Sequence, residues 1–268
     1  MAHFICQTCG TQFGETAVPP EHCPICEDER QYVGWDGQQW ITLATLQEKH
    51  QNEIGEVEPQ LTGISSTPSF AIGQRALLLQ TAQGNLLWDC ISLLDEATKS
   101  AVDALGGIKA IAISHPHFYS AMVEWSRAFD APIYLHEANQ RWVMRPDPAI
   151  QYWQGETKTL WDGLTLIRAG GHFSGSSLLH WSGGANGAGA LLTGDTIQVV
   201  SDRQHVSFMY SYPNLIPLSA KAVEGIVTAV TPYAFDRIYG AWWDRVVKSE
   251  AKTAVTRSAD RYIAALSG

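Results

Sequence analysis

Positive charge is scarce in this chain: 18 Lys and Arg stand against 27 Asp and Glu, a net charge of −9 over 268 residues. Phosphate backbones and anionic headgroups are bound by clustered Lys and Arg, so no nucleic-acid partner is expected. Long apolar runs are missing as well. No stretch of 18 apolar residues occurs, which argues against a helical membrane span and against a membrane partner. The opening residues, MAHFICQTCG, lack the basic segment and apolar segment of a secretory signal, and the expectation is a soluble, cytoplasmic protein. Cysteine is sparse and odd in number, five in all, with four of them inside the first 26 residues. That distribution suits metal ligation better than a disulfide framework. What is present, 45% hydrophobic and 17% charged residues, describes a globular chain long enough for one α/β domain and a small module.

Cys6-x-x-Cys9-Gly10 and Cys23-Pro24-Ile25-Cys26 form two knuckles separated by 13 residues that include Gly14, Pro19 and Pro20. These turn formers let the knuckles face each other, and four thiolates then make a tetrahedral site that folds a segment too short for a core of its own. The pattern resembles zinc ribbons and the rubredoxin-like tail of rubrerythrins. Structural zinc is the favoured ion, with redox iron the alternative, because Glu27 stands where rubredoxins favour Gly. His3 and His22 are bystanders to a shell already complete, and Cys90 reads as a small buried hydrophobe. Residues 1–45 are assigned to this module and the Gln-rich residues 46–64 to a linker.

From residue 65 onward the pattern alternates strands and helices. FAIG (70–73), ALLLQT and LLWDCI suggest strands, the last two joined at Gln83-Gly84-Asn85. Asp95 caps a helix to Leu105 that Gly106-Gly107 would end. Ile108 to Ser114 is a short apolar strand delivering the chain to His115. Then follow a helix (AMVEWSRAF), a strand (PIYLH), a polar excursion over 139–162, and strands flanking Gly170-Gly171-His172. GGANGAG (183–189) is a flexible surface turn. Helix 219–230, strand 237–239 and a closing helix complete the chain, the last docking through Val255, Ala259, Tyr262, Ile263 and Leu266.

His115-Pro116-His117, Gly170-Gly171-His172-Phe173-Ser174-Gly175-Ser176 and Leu191-Leu192-Thr193-Gly194-Asp195 resemble, in order and spacing, the HxH, GHxxGS and GD motifs of the metallo-β-lactamase fold superfamily. The resemblance implies an α/β (α+β) fold, a four-layer αββα sandwich over residues 65–268. It also implies a metal site built from His115, His117, His172 and Asp195. Three imidazoles and a carboxylate suit Zn, and two His with the Asp suit Fe. The family's two-metal members continue HxH into Asp-His and place a final His after the last strand. Here Tyr119 and Ser120 take the first two positions, and Ala241-Trp242-Trp243 follow Gly240. One ion is therefore expected in the body.

The favoured reading is a zinc-dependent hydrolase-like protein activating water against an ester, thioester or lactone-type small molecule. Asp195 ligates the ion or orients the water, and Tyr119 supplies a proton or hydrogen bond. The alternatives are a mononuclear iron oxygenase or redox enzyme, and a ligand-binding scaffold without turnover. A homo-oligomer is compatible with the sequence. Among other residues, His136 and His180 read as structural, His50 as part of the linker, and His205 as solvated or as a replacement ligand. Trp153, Trp161, Trp242 and Trp243, with Phe118 and Tyr119, are candidates for an aromatic pocket, Arg203 and Arg245 for an anionic substrate, and Ser207 to Pro217 for a loop over the site.

Overall fold

The computed structural model describes residues 1–267. Its contacts divide the chain into two units, Met1–Leu135 with Gln140–Tyr152, and His136–Asn139 with everything from Trp153 onward.

The first unit opens with a small antiparallel sheet in the order β2-β1-β3, made of β1 (Ala2–Cys6), β2 (Gln12–Thr16) and β3 (Trp40–Thr42). Ile5 of β1 packs with Leu46 of helix α1 (Leu43–Lys49) and with Leu93 from farther along the chain. So small an apolar cluster is too little to fold a module of this length alone, and this is the deficit that the cysteine knuckles fill.

Residues 46–64, expected to be a linker, are not one. After the last turn of α1 they form β4 (Gln51–Glu58), turn at Gln60 with φ 73°, and start β5 (Leu61–Thr67) in antiparallel register with it. β4 is an edge strand with no fully buried residue, so its sequence, QNEIGEVE, shows none of the apolar content that marks a buried strand. The sheet continues through β6 (Ala76–Leu79), β7 (Leu86–Trp88), β8 (Ala110–Ala112), β9 (Ile133–His136) and β10 (Ile150–Trp153), in the spatial order β10-β9-β8-β7-β6-β5-β4. β4 to β7 run antiparallel, and β7, β8 and β9 are parallel. FAIG is not a strand: Ala71 (φ 52°) and Gly73 (φ 75°) are left-handed and turn the chain into β6.

Helix α2 (Glu96–Ala104) starts where the Asp95 carboxylate accepts a 2.7 Å hydrogen bond from Thr98 N, an N-cap. It stops at Gly106 and Gly107, both with positive φ. Helix α3 (Met122–Phe129) buries Met122, Val123 and Trp125.

The second unit carries a six-stranded sheet in the order β11-β12-β13-β14-β19-β20. Its first strands are β11 (Thr157–Thr159), β12 (Leu164–Arg168), β13 (Ser177–Trp181) and β14 (Ala190–Gly194). Two hairpins follow, β15 (Gln198–Val199) with β16 (Val206–Ser207), and β17 (Met209–Ser211) with β18 (Ile216–Pro217). β19 (Arg237–Gly240) then joins β14 in parallel, and β20 (Val246–Val247) closes the edge. Helices α4 (Ala220–Val230) and α5 (Ala251–Ser267) share one core cluster through Val223, Ile226, Val230, Ala254, Val255 and Ala259. Tyr262 and Ile263 pack against it, whereas Leu266, expected on that face, is 42% exposed in the last turn.

GGANGAG is less free than its composition suggests. Gly189 has φ 84°, and a Cβ on it would sit 2.1 Å from the carbonyl oxygen of Ala234. Gly187 has φ 91° with nothing within 4 Å. Gly189→Ala is expected to cost about 3 kcal/mol or more, from backbone strain and a clash with main chain, and Gly187→Ala only about 1 kcal/mol. Urea unfolding of the two variants side by side checks the difference.

Candidate metal centres

The sulfurs of Cys6, Cys9, Cys23 and Cys26 lie within 4.8 Å of one another, and all four residues are buried. Cys6 and Cys26 approach to 3.5 Å and Cys9 and Cys23 to 3.7 Å. A tetrahedral ion with 2.3 Å bonds to sulfur sets its ligands about 3.8 Å apart, so the cage fits zinc or iron. Each knuckle is closed by its own backbone: Gly10 N donates to Cys6 O at 2.8 Å and Glu27 N to Cys23 O at 3.0 Å. Hydrogen bonds from Cys23 and Cys26 hold the Cys6 thiol well below its ordinary value, and the same crowding pushes Cys9 and Cys26 up. The sulfurs thus compete for charge that a cation would balance. Gln38 Nε2 also donates to Cys6 Sγ at 3.0 Å, a contact with no signature in the sequence. His3 bonds Phe13 O and His22 pairs with Glu27, both outside the cage.

The first unit also presents a pair of imidazoles. β8 ends at Ala112, and two residues later Ser114 N donates to the Asp89 carboxylate at 2.7 Å. Ser114 Oγ lies 2.9 Å from His115 Nδ1. With that nitrogen donating to the hydroxyl, Nε2 carries the lone pair that an ion takes. His115 leads into a 3₁₀ turn, Pro116–Phe118, which places the His117 ring 5.2 Å from the His115 ring at 77°. Both residues are buried. Tyr119 N closes the turn on Pro116 O at 3.2 Å, and Tyr119 lines a small cavity with Thr11, Gln12 and Arg145. Ser120, at φ 43°, accepts from Gln12 N at its carbonyl (3.0 Å) and from Gln74 Nε2 at its hydroxyl (3.0 Å).

The second unit presents an imidazole and a carboxylate. Gly171, with φ 74°, brings the main chain so close to α4 that a Cβ would meet Ile226 at 2.8 Å. His172 follows, its Nδ1 3.0 Å from Met209 O, which again directs Nε2 outward as a ligand. That Nε2 lies 3.9 Å from Asp195 Oδ1. Neighbouring donors on a tetrahedral ion stand about 3.4 Å apart, so the pair is within about half an ångström of ligand spacing. Burial pushes the Asp195 carboxyl up to about 7; a cation beside it would keep it ionised. Tyr212 Oη donates to Asp195 O at 2.7 Å. The Ser207 to Pro217 segment is therefore mostly the β17–β18 hairpin, and it supports both members of this pair from behind.

Gly194 pairs with Gly240 across the β14–β19 ladder, and Ala241 N donates to Gly194 O at 3.2 Å. The position expected to carry a final His is thus beside Asp195 in the ladder and holds a buried Ala241. Trp242 and Trp243 come next. With Gln198, Ser201, Arg203, Asp244 and Arg245 they line an open cleft of about 700 Å³, where Arg245 Nη1 donates to Ser201 Oγ at 3.1 Å.

The remaining candidates fall elsewhere. Trp153 is buried edge-on against His136, which bonds Gly155 O and accepts from Ala138 N. His180 bonds Ala234 O. His205, considered as a replacement ligand, pairs with the exposed Asp202 at 2.7 Å instead. His50 bonds Pro68 O. Burial pushes the Cys90 thiol up, which leaves it unreactive.

No family model matches the chain. Among curated proteins it is 53% identical over 268 residues to YmaE of Bacillus subtilis (strain 168), described as an uncharacterized protein, covering 99% of this chain and 97% of YmaE. Among solved structures it is similar to VMB-1 (TM-score 0.60, 11% identity, 81% of this chain and 98% of that one). It is also similar to the DIM-1 metallo-β-lactamase (TM-score 0.59, 11% identity, 80% and 98%) and to TTHA1623 in a di-iron-bound form (TM-score 0.50, 21% identity, 67% and 91%). Among the described residues no helix is long and apolar enough to cross a membrane. The chain belongs to the family of YmaE, and its fold is that of the metallo-β-lactamases.

Proposed function

We propose that this protein is a metal-dependent hydrolase that holds one body ion and cleaves an ester, thioester or lactone-type small molecule, with a separate structural ion in the cysteine cage. The observation that carries this reading is that each unit presents a buried pair of ligand-type side chains at a strand end or glycine bend, His115 with His117 in the first and His172 with Asp195 in the second. Each member sits just beyond a strand or in a glycine-bent loop, with two of the imidazoles oriented through Nδ1. A single body ion is favoured because Tyr119, Ser120 and Ala241 occupy the positions from which a second ion would be held. Zinc or iron bound there would polarise a carbonyl oxygen and lower the pKa of a water.

The chain's own groups supply the rest. Asp195, buried and reluctant to ionise alone, ligates the ion or orients the attacking water. Tyr119 offers a phenol hydroxyl and is the donor we assign to developing oxyanion charge. The cleft beside the end of β19 supports a substrate with an aromatic or apolar body and one acidic group. Two indoles offer flat apolar surface, and two guanidiniums offer paired donors in a chain that is otherwise acidic.

Elemental analysis of the purified, unsupplemented protein should give two metals per chain, with His115→Ala/His117→Ala retaining the cage metal and losing the other. One metal, unaffected by the histidine changes, would overturn the enzyme reading in favour of a binding scaffold. Iron at the histidine-dependent site would favour redox chemistry over hydrolysis. Ser114→Ala, which frees the His115 ring, is expected to weaken body-metal affinity about 10- to 100-fold, measured by chelator competition. For a hydrolysed aryl ester bearing a carboxylate, Arg203→Gln/Arg245→Gln should raise KM about tenfold or more with little change in kcat. The matching neutral ester should be unaffected.

A further inference from the structure

The cysteine module does not hang from the body as a separate bead. Gly10, one residue past the first knuckle, offers its carbonyl to Ser92 Oγ at 2.7 Å. A Cβ on Gly10 would lie 2.7 Å from that hydroxyl, 3.1 Å from Ala71 Cβ and 3.7 Å from Ser120 Oγ. Two residues on, Gln12 N donates to Ser120 O at 3.0 Å, and the Gln12 side chain joins Glu124 and Arg145, which also bond each other. Gly14 N donates to Met144 O at 3.1 Å. These contacts all fall on, or immediately around, the end of the turn that carries His115 and His117.

The entry of that turn is anchored where Ser114 N donates to the Asp89 carboxylate at 2.7 Å. Within it, Phe118 N donates to His115 O at 3.1 Å and Tyr119 N to Pro116 O at 3.2 Å. Its exit residue, Ser120, has a left-handed φ of 43°, which costs a non-glycine residue on the order of 1 kcal/mol or more unless its surroundings enforce it. The enforcing bonds come from the module at the carbonyl and from Gln74 at the hydroxyl. Cys9, Gly10, Thr11 and Gln12 are contiguous in the chain, so an ion on Cys6 and Cys9 fixes the strand that fixes Ser120.

We propose that the four-Cys module is a positioning element for the two-histidine half of the body site, so that loading of the cage tightens metal binding at His115 and His117. Gly10 and Gln12 are the positioning residues, acting through Ser92 and Ser120. This rests on the reading of His115 and His117 as metal ligands. By linkage, an ion in the body must tighten the cage by the same factor.

The test uses the full chain with zinc retained in the cage and the body site emptied by a mild chelator, then titrated with cobalt(II) and followed by its visible absorption. Two variants address the coupling: Cys6→Ser/Cys9→Ser removes the cage ion, and Ser92→Ala/Gln12→Pro keeps the four cysteines but removes the hydroxyl that donates to Gly10 O and the N–H that donates to Ser120 O. Both are expected to weaken cobalt binding about tenfold or more and to alter the absorption band. Gly189→Ala, a destabilising change remote from these contacts in the chain's hydrogen bonding, should leave cobalt affinity unchanged. Circular dichroism establishes which variants are folded, and if the cysteine variant is not, the Ser92/Gln12 variant decides. Cobalt affinity within twofold of the parent in the folded variants would overturn the inference. Cobalt binding to the parent that His115→Ala/His117→Ala does not reduce would overturn the reading beneath it, and the inference with it.

Discussion

Holding a six-residue turn, His115 to Ser120, against its own flexibility is the constraint around which the first unit is arranged. The turn follows a three-residue parallel strand, β8, and contains a proline, two imidazoles set edge to face and a left-handed exit. A 3₁₀ segment of this length has poor hydrogen-bond geometry and cannot enforce its own shape. Its entry is fixed by Asp89, itself left-handed at φ 61° just past β7, whose carboxylate takes the Ser114 N–H. Its exit is fixed by Gln12 and Gln74. Neighbouring parallel strands therefore supply both the turn and one of its anchors, and an element far earlier in the chain supplies another.

The second unit solves the same problem with a different device. His172 and Asp195 need no long turn, because glycine on the chain before each lets the backbone bend sharply out of its strand or loop. What they need is orientation, and the β17–β18 hairpin gives it through one carbonyl and one phenol. Burial and the nearby Asp195 charge push the Tyr212 hydroxyl up, so it remains a donor at any ordinary pH. The carbonyl of Met209 selects the His172 tautomer, and the phenol steadies the main chain that carries the carboxylate. The strand ends set which side chains stand there, and the groups behind them set their direction.

How much of this was legible in the sequence follows from which groups do the work. Side-chain ligand types have chemical identities and fixed spacing, so the cysteine knuckles and the His and Asp motifs could be read directly, as could the cap of α2 at Asp95. The supports could not. Met209 acts through its carbonyl, Gln12 largely through its N–H, and Gly10 through the absence of a Cβ, and none of these leaves a pattern in the order of residues. β4 was hidden for another reason: an edge strand is exposed along one side and needs few apolar residues, so QNEIGEVE read as linker. Trp242, Trp243, Arg203 and Arg245 were visible as types, but only folding brought them into one cleft.

Positions 119, 120 and 241, where a second ion would need its ligands, are committed to other contacts. Here Tyr119 is buried and lines a small cavity with Thr11, Gln12 and Arg145, Ser120 is bonded on both its carbonyl and its hydroxyl, and Ala241 is enclosed beside the β14–β19 ladder. A histidine or aspartate restored at 120 would have to displace the Gln74 contact while keeping a left-handed backbone. An imidazole at 241 would have to find space at a residue only 3% exposed. The hydrogen bonds from the cysteine module thus converge on the exit of the turn, and an ion held by four sulfurs a few residues away would brace it through the main chain.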